Sequence, residues 1–141
     1  MKKITFLIFL LLSTVSFSQS IFGKWESRDE KTNKVDSVIE VYKKDGKAYA
    51  KIVAITDKTK NEALCTLCED EKKNKPVLGM EILTGLKKDG EEWSGGTILD
   101  PRNGKIYKCY IKLVKPNKLK LRGYIGISLF GKTEYMARAT K

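Results

Sequence analysis

Lys105-Ile106-Tyr107-Lys108-Cys109-Tyr110-Ile111-Lys112-Leu113-Val114-Lys115, then Pro116-Asn117, then Lys118-Leu119-Lys120-Leu121-Arg122-Gly123-Tyr124, is the stretch that decides the fold. In its first run Tyr107, Cys109, Ile111 and Leu113 fall on one side, and Lys108, Tyr110 and Lys112 on the other. In its second run Leu119 and Leu121 face away from Lys118, Lys120 and Arg122. A period of two places one face on a core and the other in water. Pro116-Asn117 between the runs marks a turn, so the stretch reads as an antiparallel hairpin.

Working outward, the same grammar repeats. Asp45-Gly46, Asp89-Gly90 and Asn103-Gly104 stand between strand-like runs, where positive backbone φ is cheap. The runs they bound are Val35–Lys43, Lys47–Thr56, Leu78–Lys87, Glu92–Leu99, Lys105–Lys115 and Lys118–Gly126, with a last run over Lys132–Thr140. With the opening Gly23-Lys24-Trp25, about eight strands are expected. No segment of the mature chain shows an apolar stripe of helical period. The alternation around Ile39 and Val41 is less clean than in the hairpin. The glycines Gly95-Gly96, Gly123, Gly126 and Gly131 admit bulges, coiling or close packing as well as plain turn chemistry. An all-β fold follows, and a closed up-and-down barrel is preferred to a sandwich because closure leaves no exposed edge strand.

The ends and the composition set further bounds. Lys2 and Lys3 precede a mostly apolar run, Ile4–Leu12, and Ser16-Phe17-Ser18 supplies small residues for a peptidase. Residues 1–18 are expected to be a cleaved export signal, and residues 19–141 a single β-barrel domain, periplasmic or secreted. No transmembrane segment is expected after signal removal, because the apolar run is too short to span a bilayer. The 141 residues carry 28 Lys and Arg, 17 Asp and Glu, and no histidine, for a net charge of +11. Without histidine, His-dependent triads and imidazole zinc sites are excluded. The lysine clusters read as solvated surface with an affinity for anionic lipid or envelope polymer. No nucleic-acid recognition motif accompanies them, so nucleic acid is not an expected partner.

Several motifs stand in a distinctive order: Gly23-Lys24-Trp25, Gly79-Met80-Glu81-Ile82-Leu83, and Trp93-Ser94-Gly95-Gly96-Thr97-Ile98-Leu99-Asp100-Pro101. Asn103-Gly104-Lys105-Ile106-Tyr107, Leu121-Arg122-Gly123-Tyr124-Ile125-Gly126 and Ser128-Leu129-Phe130-Gly131-Lys132-Thr133 complete the set. In these pieces and their order the chain resembles the DUF2147 family of small exported bacterial proteins. The resemblance implies a calycin or lipocalin-like barrel. It also implies a structural role for Gly23, Trp25 and Arg138, with the indole filling one barrel end beneath the guanidinium. Where the family pattern often has another aromatic near the last arginine, this chain has Tyr135 and Met136.

Three cysteines are present. Cys65 and Cys68 form a CxxC outside any strand-to-helix redox context. An exported chain favours one disulfide. Either loop cysteine can reach Cys109, or Cys65 can pair with Cys68 and leave Cys109 a buried thiol. Neither a metal site nor a cofactor is expected. Glu81 and Asp100 are the best functional carboxylates, yet Asp100-Pro101-Arg102-Asn103-Gly104 reads as a turn capped by Asp100, and no catalytic residue is assigned. A barrel of this size is either filled by side chains or holds one small ligand. The leading expectation is an exported binding or carrier protein for a small hydrophobic molecule, with Trp93 and Tyr124 as ligand-contacting aromatics. The alternative is a non-enzymatic structural or interaction protein that contacts a cell-envelope component through Gly126–Lys132 or a basic face.

Overall fold

A computed structural model describes residues 20–140. The expected export signal lies outside the described residues. Eight antiparallel strands run in order around a closed barrel: β1 (Gly23–Arg28), β2 (Val35–Lys44), β3 (Lys47–Ile55), β4 (Glu81–Asp89), β5 (Glu92–Asp100), β6 (Lys105–Lys115), β7 (Lys118–Tyr124) and β8 (Gly131–Arg138). Each strand pairs with its sequence neighbour. The ladder at the seam is short: β1 pairs with β8 at Trp25 opposite Arg138 and Glu26 opposite Ala137.

The register explains the alternation read in the sequence. Cys109, Ile111, Leu119 and Leu121 are buried, and Cys109 sits opposite Gly123 while Ile111 sits opposite Leu121. The blurred pattern of β2 has a local cause. Ile39 and Val41 are buried while the apolar Val38 shares the other side of β2 with Glu40 and Tyr42, and the register shift opposite them puts the extra residue, Val53, on β3. The Gly95-Gly96 pair marks a second irregularity, between Trp93 and Gly96 against β6. Gly95 has a φ of 78°, and a Cβ on Gly96 would run into the Thr84 carbonyl and the Leu86 side chain. Glycine at 96 is thus a packing requirement between β4 and β5.

The two ends of the barrel differ. The connections after β2, β4 and β6 are tight turns at Asp45-Gly46, Gly90-Glu91 and Pro116-Asn117. Beside them the interior is filled by Trp25, Val41, Ala48, Leu86, Ile111 and Leu119, all nearly inaccessible. The connections after β1, β3, β5 and β7 gather at the other end. The longest, between β3 and β4, carries two short 3-10 turns, Lys58–Lys60 and Asp70–Lys72. It folds back on itself through Cys65 N–H to the Lys75 carbonyl, Asn74 N–H to the Cys65 carbonyl, and Val77 N–H to the Ala63 carbonyl, all within 2.9 Å.

Candidate functional site

The closed end is locked by the Gly23, Trp25 and Arg138 group. Trp25 is the third residue of β1 and points into the barrel, where its indole N–H donates to the Ile21 carbonyl at 2.8 Å. The Arg138 guanidinium lies 4.2 Å from the indole centroid. Its three nitrogens donate to three carbonyls: Nε to Pro116 at 3.1 Å, Nη1 to Phe22 at 3.1 Å and Nη2 to Ser20 at 2.7 Å. Gly23 leaves room for that guanidinium, since a Cβ there would sit 3.0 Å from Nη1 at a φ of +126°. Met136 is buried one turn of the pleat above, while Tyr135 lies outside under the Lys118 ammonium.

Trp93 belongs to this end also. It is buried as the second residue of β5 and meets Phe22 edge-on with ring centroids 5.5 Å apart. It does not line the cavity described next, so its indole is a packing group of the closed end.

At the opposite end a cavity of about 770 Å³ opens to solvent. Its apolar wall includes Ile39, Ile52, Ile82, Ile98, Leu121 and Met136 from the strands. Ala63, Leu64 and Val77 of the β3–β4 loop arch over one side. Tyr107 and Phe130 contribute aromatic surface near the rim, and so does Tyr124 at the end of β7. Tyr124 pairs with Lys108 in register, on the lysine-bearing face of the hairpin, which places it at the rim. Tyr42 and Tyr49 lie elsewhere, stacked on the outside of β2 and β3 with centroids 6.0 Å apart.

Polar groups ring the upper wall. Ser27 of β1 donates to the Glu134 carboxylate of β8 across the barrel seam. Lys132 pairs with Glu30 at 2.5 Å. Asp100 accepts from the Arg102 backbone N–H at 3.0 Å and from its guanidinium at 3.0 and 2.9 Å. Burial pushes the Asp100 pKa up, but the bonds and charge of Arg102 outweigh it and hold the carboxyl below its ordinary value. Asp100 is therefore a turn-capping group. Ser27, Lys132 and Glu134 were not singled out in the sequence. The signal was available, because Lys132, Glu134, Met136 and Arg138 share the inward face of β8.

Glu81 lies outside the cavity. Its carboxylate accepts from the Tyr42 hydroxyl, and its backbone carbonyl accepts from Lys72 Nζ at 2.8 Å. Burial, followed by the bond to Glu81, raises the Tyr42 phenol to about 12. Of the open cysteine pairings, the structure holds the local one. Cys65 and Cys68 are bridged with Cα atoms 5.3 Å apart, and Cys109 is a buried free thiol raised to about 12 by burial alone. The bridged loop rests on the β5–β6 turn: a Cβ on Gly104 would strike the Leu67 carbonyl, and Cys65 Sγ lies 3.5 Å from the Pro101 oxygen. Among the described residues no three Cys, Asp or Glu side chains gather to hold an ion.

A filled lower half, an open apolar upper half and a polar rim suit the enclosure of one small apolar body. The fold is shared with protein HP1028 from the human pathogen Helicobacter pylori, described as belonging to the lipocalin family. The two are 20% identical, with a TM-score of 0.76, over 86% of this chain and 84% of that one. No curated protein matches the sequence. The profile of DUF2147, described as an uncharacterized protein conserved in bacteria, matches residues 23–138. That match spans all eight strands, and the chain belongs to the DUF2147 family.

Proposed function

We propose that this protein is an exported binding or carrier protein for a small hydrophobic molecule. The observation that carries the reading is the cavity of about 770 Å³, walled by apolar strand residues and open at one end. Its size falls within the range of small-molecule sites, roughly 300–1,000 Å³. The lipocalin-like fold supports the reading as a scaffold. The basic amino-terminal Lys2-Lys3 and the apolar run after it support export. An apolar tail would lie against Ile39, Ile52, Ile98 and Leu121. A hydroxyl or amine would meet Ser27 and Glu134 near the seam.

The test is native mass spectrometry of protein purified without denaturation from an exporting host, followed by titration with a naphthalene-sulfonate fluorescent probe. A Gly123→Leu variant serves as the blocked form. Gly123 lines the cavity, and a Cβ there meets Ile98 and Tyr107 at ordinary contact distances of 3.7 and 3.8 Å. The expected result is a co-purifying mass that leaves on unfolding, probe binding to the wild type, and at least about tenfold weaker probe binding by the variant. Equal probe affinity in both proteins, with no co-purifying mass, would overturn the reading.

A further inference from the structure

We infer that the outer face of β6, β7 and β8, together with the apolar loop above it, is a docking surface for an anionic lipid bilayer. From Pro101 to Thr133 the chain contains no Asp or Glu and nine Lys or Arg. The β6–β7 pairing gathers part of this charge on one face. Lys108, Lys112, Lys118, Lys120 and Arg122 all lie on the side of the hairpin opposite the buried Cys109, Ile111, Leu119 and Leu121. Tyr110 and Tyr135 sit among them, with Lys120 Nζ 5.5 Å from the Tyr110 ring and Lys118 Nζ 4.6 Å from the Tyr135 ring. Acids stand only at the margins of this face: Glu91 pairs with Lys112, Glu92 lies opposite it on β5, Glu26 of β1 lies opposite Ala137, and Glu30 pairs with Lys132 at the rim. Cations mixed with tyrosines suit the headgroup level of a bilayer.

The upper edge of the face supplies what a purely electrostatic patch lacks. Between β7 and β8 the chain runs Ile125-Gly126-Ile127-Ser128-Leu129-Phe130, and its four large apolar residues are 69%, 59%, 75% and 69% exposed. This exposure is built into the local structure. Arg122 holds the loop by donating to the Ser128 carbonyl at 2.7 Å and the Leu129 carbonyl at 3.3 Å, while another nitrogen donates to the Thr133 hydroxyl at 2.7 Å. Phe130 N–H closes it on the Ile127 carbonyl at 3.1 Å. An apolar tip of this kind, held by Arg122, would sink into the acyl boundary while the lysines of the face meet lipid phosphates. Charge complementarity favours an anionic bilayer over a second copy, because two copies meeting here would oppose one basic face with another. Ile125 and Phe130 also line the cavity rim, so docking would bring the mouth to the lipid surface. The surface stands on its own observations and does not require the cavity to hold a ligand.

The test is co-sedimentation of the mature protein with vesicles of phosphatidylcholine alone or mixed with phosphatidylglycerol. Binding to the mixed vesicles is expected to be at least about tenfold tighter, and to weaken as salt rises from about 0.05 to about 0.5 M. Ile127→Ser with Leu129→Ser should weaken it at least about tenfold. Lys108→Glu with Lys120→Glu should weaken it more than Lys44→Glu with Lys87→Glu, a matched change near the closed end. Unchanged unfolding midpoints establish that the variants remain folded. Absence of binding to mixed vesicles, an unaffected loop variant, or equal losses from the two charge reversals would each overturn the proposal. A loop-dependent dimer in analytical ultracentrifugation without vesicle binding would overturn it in favour of a second copy.

Discussion

Arg138→Met should open the barrel at its weakest point. The β1–β8 seam has two paired positions, and one of them is Trp25 opposite Arg138. The guanidinium ties three separate pieces of chain to that seam: the segment before β1 through Ser20 and Phe22, the β6–β7 turn through Pro116, and the indole of β1. The bond to Pro116 is exposed and can be replaced by water, so it contributes little. The two partly buried bonds contribute about 1 kcal/mol each, and the stacked cation about 1–2 kcal/mol. The expected loss is about 3–4 kcal/mol, or about 10–15 °C in Tm for a domain of this size. Arg138→Lys restores a charge but not three diverging donors, and should recover about half. Urea unfolding of the wild type and both variants measures this. A loss of less than about 1 kcal/mol for Arg138→Met, or full recovery by lysine, would refute the view that the forked contact closes the barrel.

Two glycines should respond in opposite directions. Gly96→Ala drives a Cβ into the Thr84 carbonyl and should cost about 1–3 kcal/mol, whereas Gly123→Ala meets only ordinary contacts and should gain about 0.5–1 kcal/mol; thermal melts of the pair decide this. The Cys109 thiol, raised to about 12 from an ordinary 9.0, should resist Ellman's reagent in the native state and react on unfolding. Burial favours its protonated form, so this contribution to stability is complete below pH 9.0 and declines as pH rises from there toward 12. Cys65→Ser with Cys68→Ser opens a small ring and should cost no more than about 2 kcal/mol, with faster amide exchange confined to residues 57–80.

The fold was legible because each strand carries its own evidence. The β6 boundaries read from alternation, Lys105 and Lys115, are those observed, since both sides of that strand differ sharply in chemistry. The start of β4 was less legible. The apolar Leu78 suggested strand, but Gly79 has a φ of 86° and the strand begins at Glu81. The last strand but one was expected to reach Gly126, yet it ends at Tyr124, where the chain turns into the loop held by Arg122. The cysteine pairing was not legible, because it depends on how the β3–β4 loop folds back through Cys65, Asn74 and Lys75. Alternation in β8 could mark Lys132 and Glu134 as inward, but not the partner of Glu134. Ser27 and Glu134 lie 107 residues apart and become neighbours only when the seam closes.

The position of Trp93 shows what the sequence held but alternation alone did not use. In an up-and-down barrel the odd strands all begin at one end. Trp25 is the third residue of β1 and Trp93 the second of β5, so both indoles must lie at that same end. The even-to-odd connections there are two-residue turns, which leave no chain to build a mouth. The odd-to-even connections are longer, and they supply the cavity rim, the bridged loop and the exposed Ile125–Phe130 segment. The packed end and the open cavity are thus separated along the barrel axis. Substitutions around Trp25, Trp93 and Arg138 should change unfolding with little direct effect on the cavity wall. Substitutions at the opposite rim meet long, exposed connections, where sequence can change without loss of the core. The same separation makes tryptophan emission a report on the closed end, so a ligand in the cavity is better followed by its own signal than by either indole.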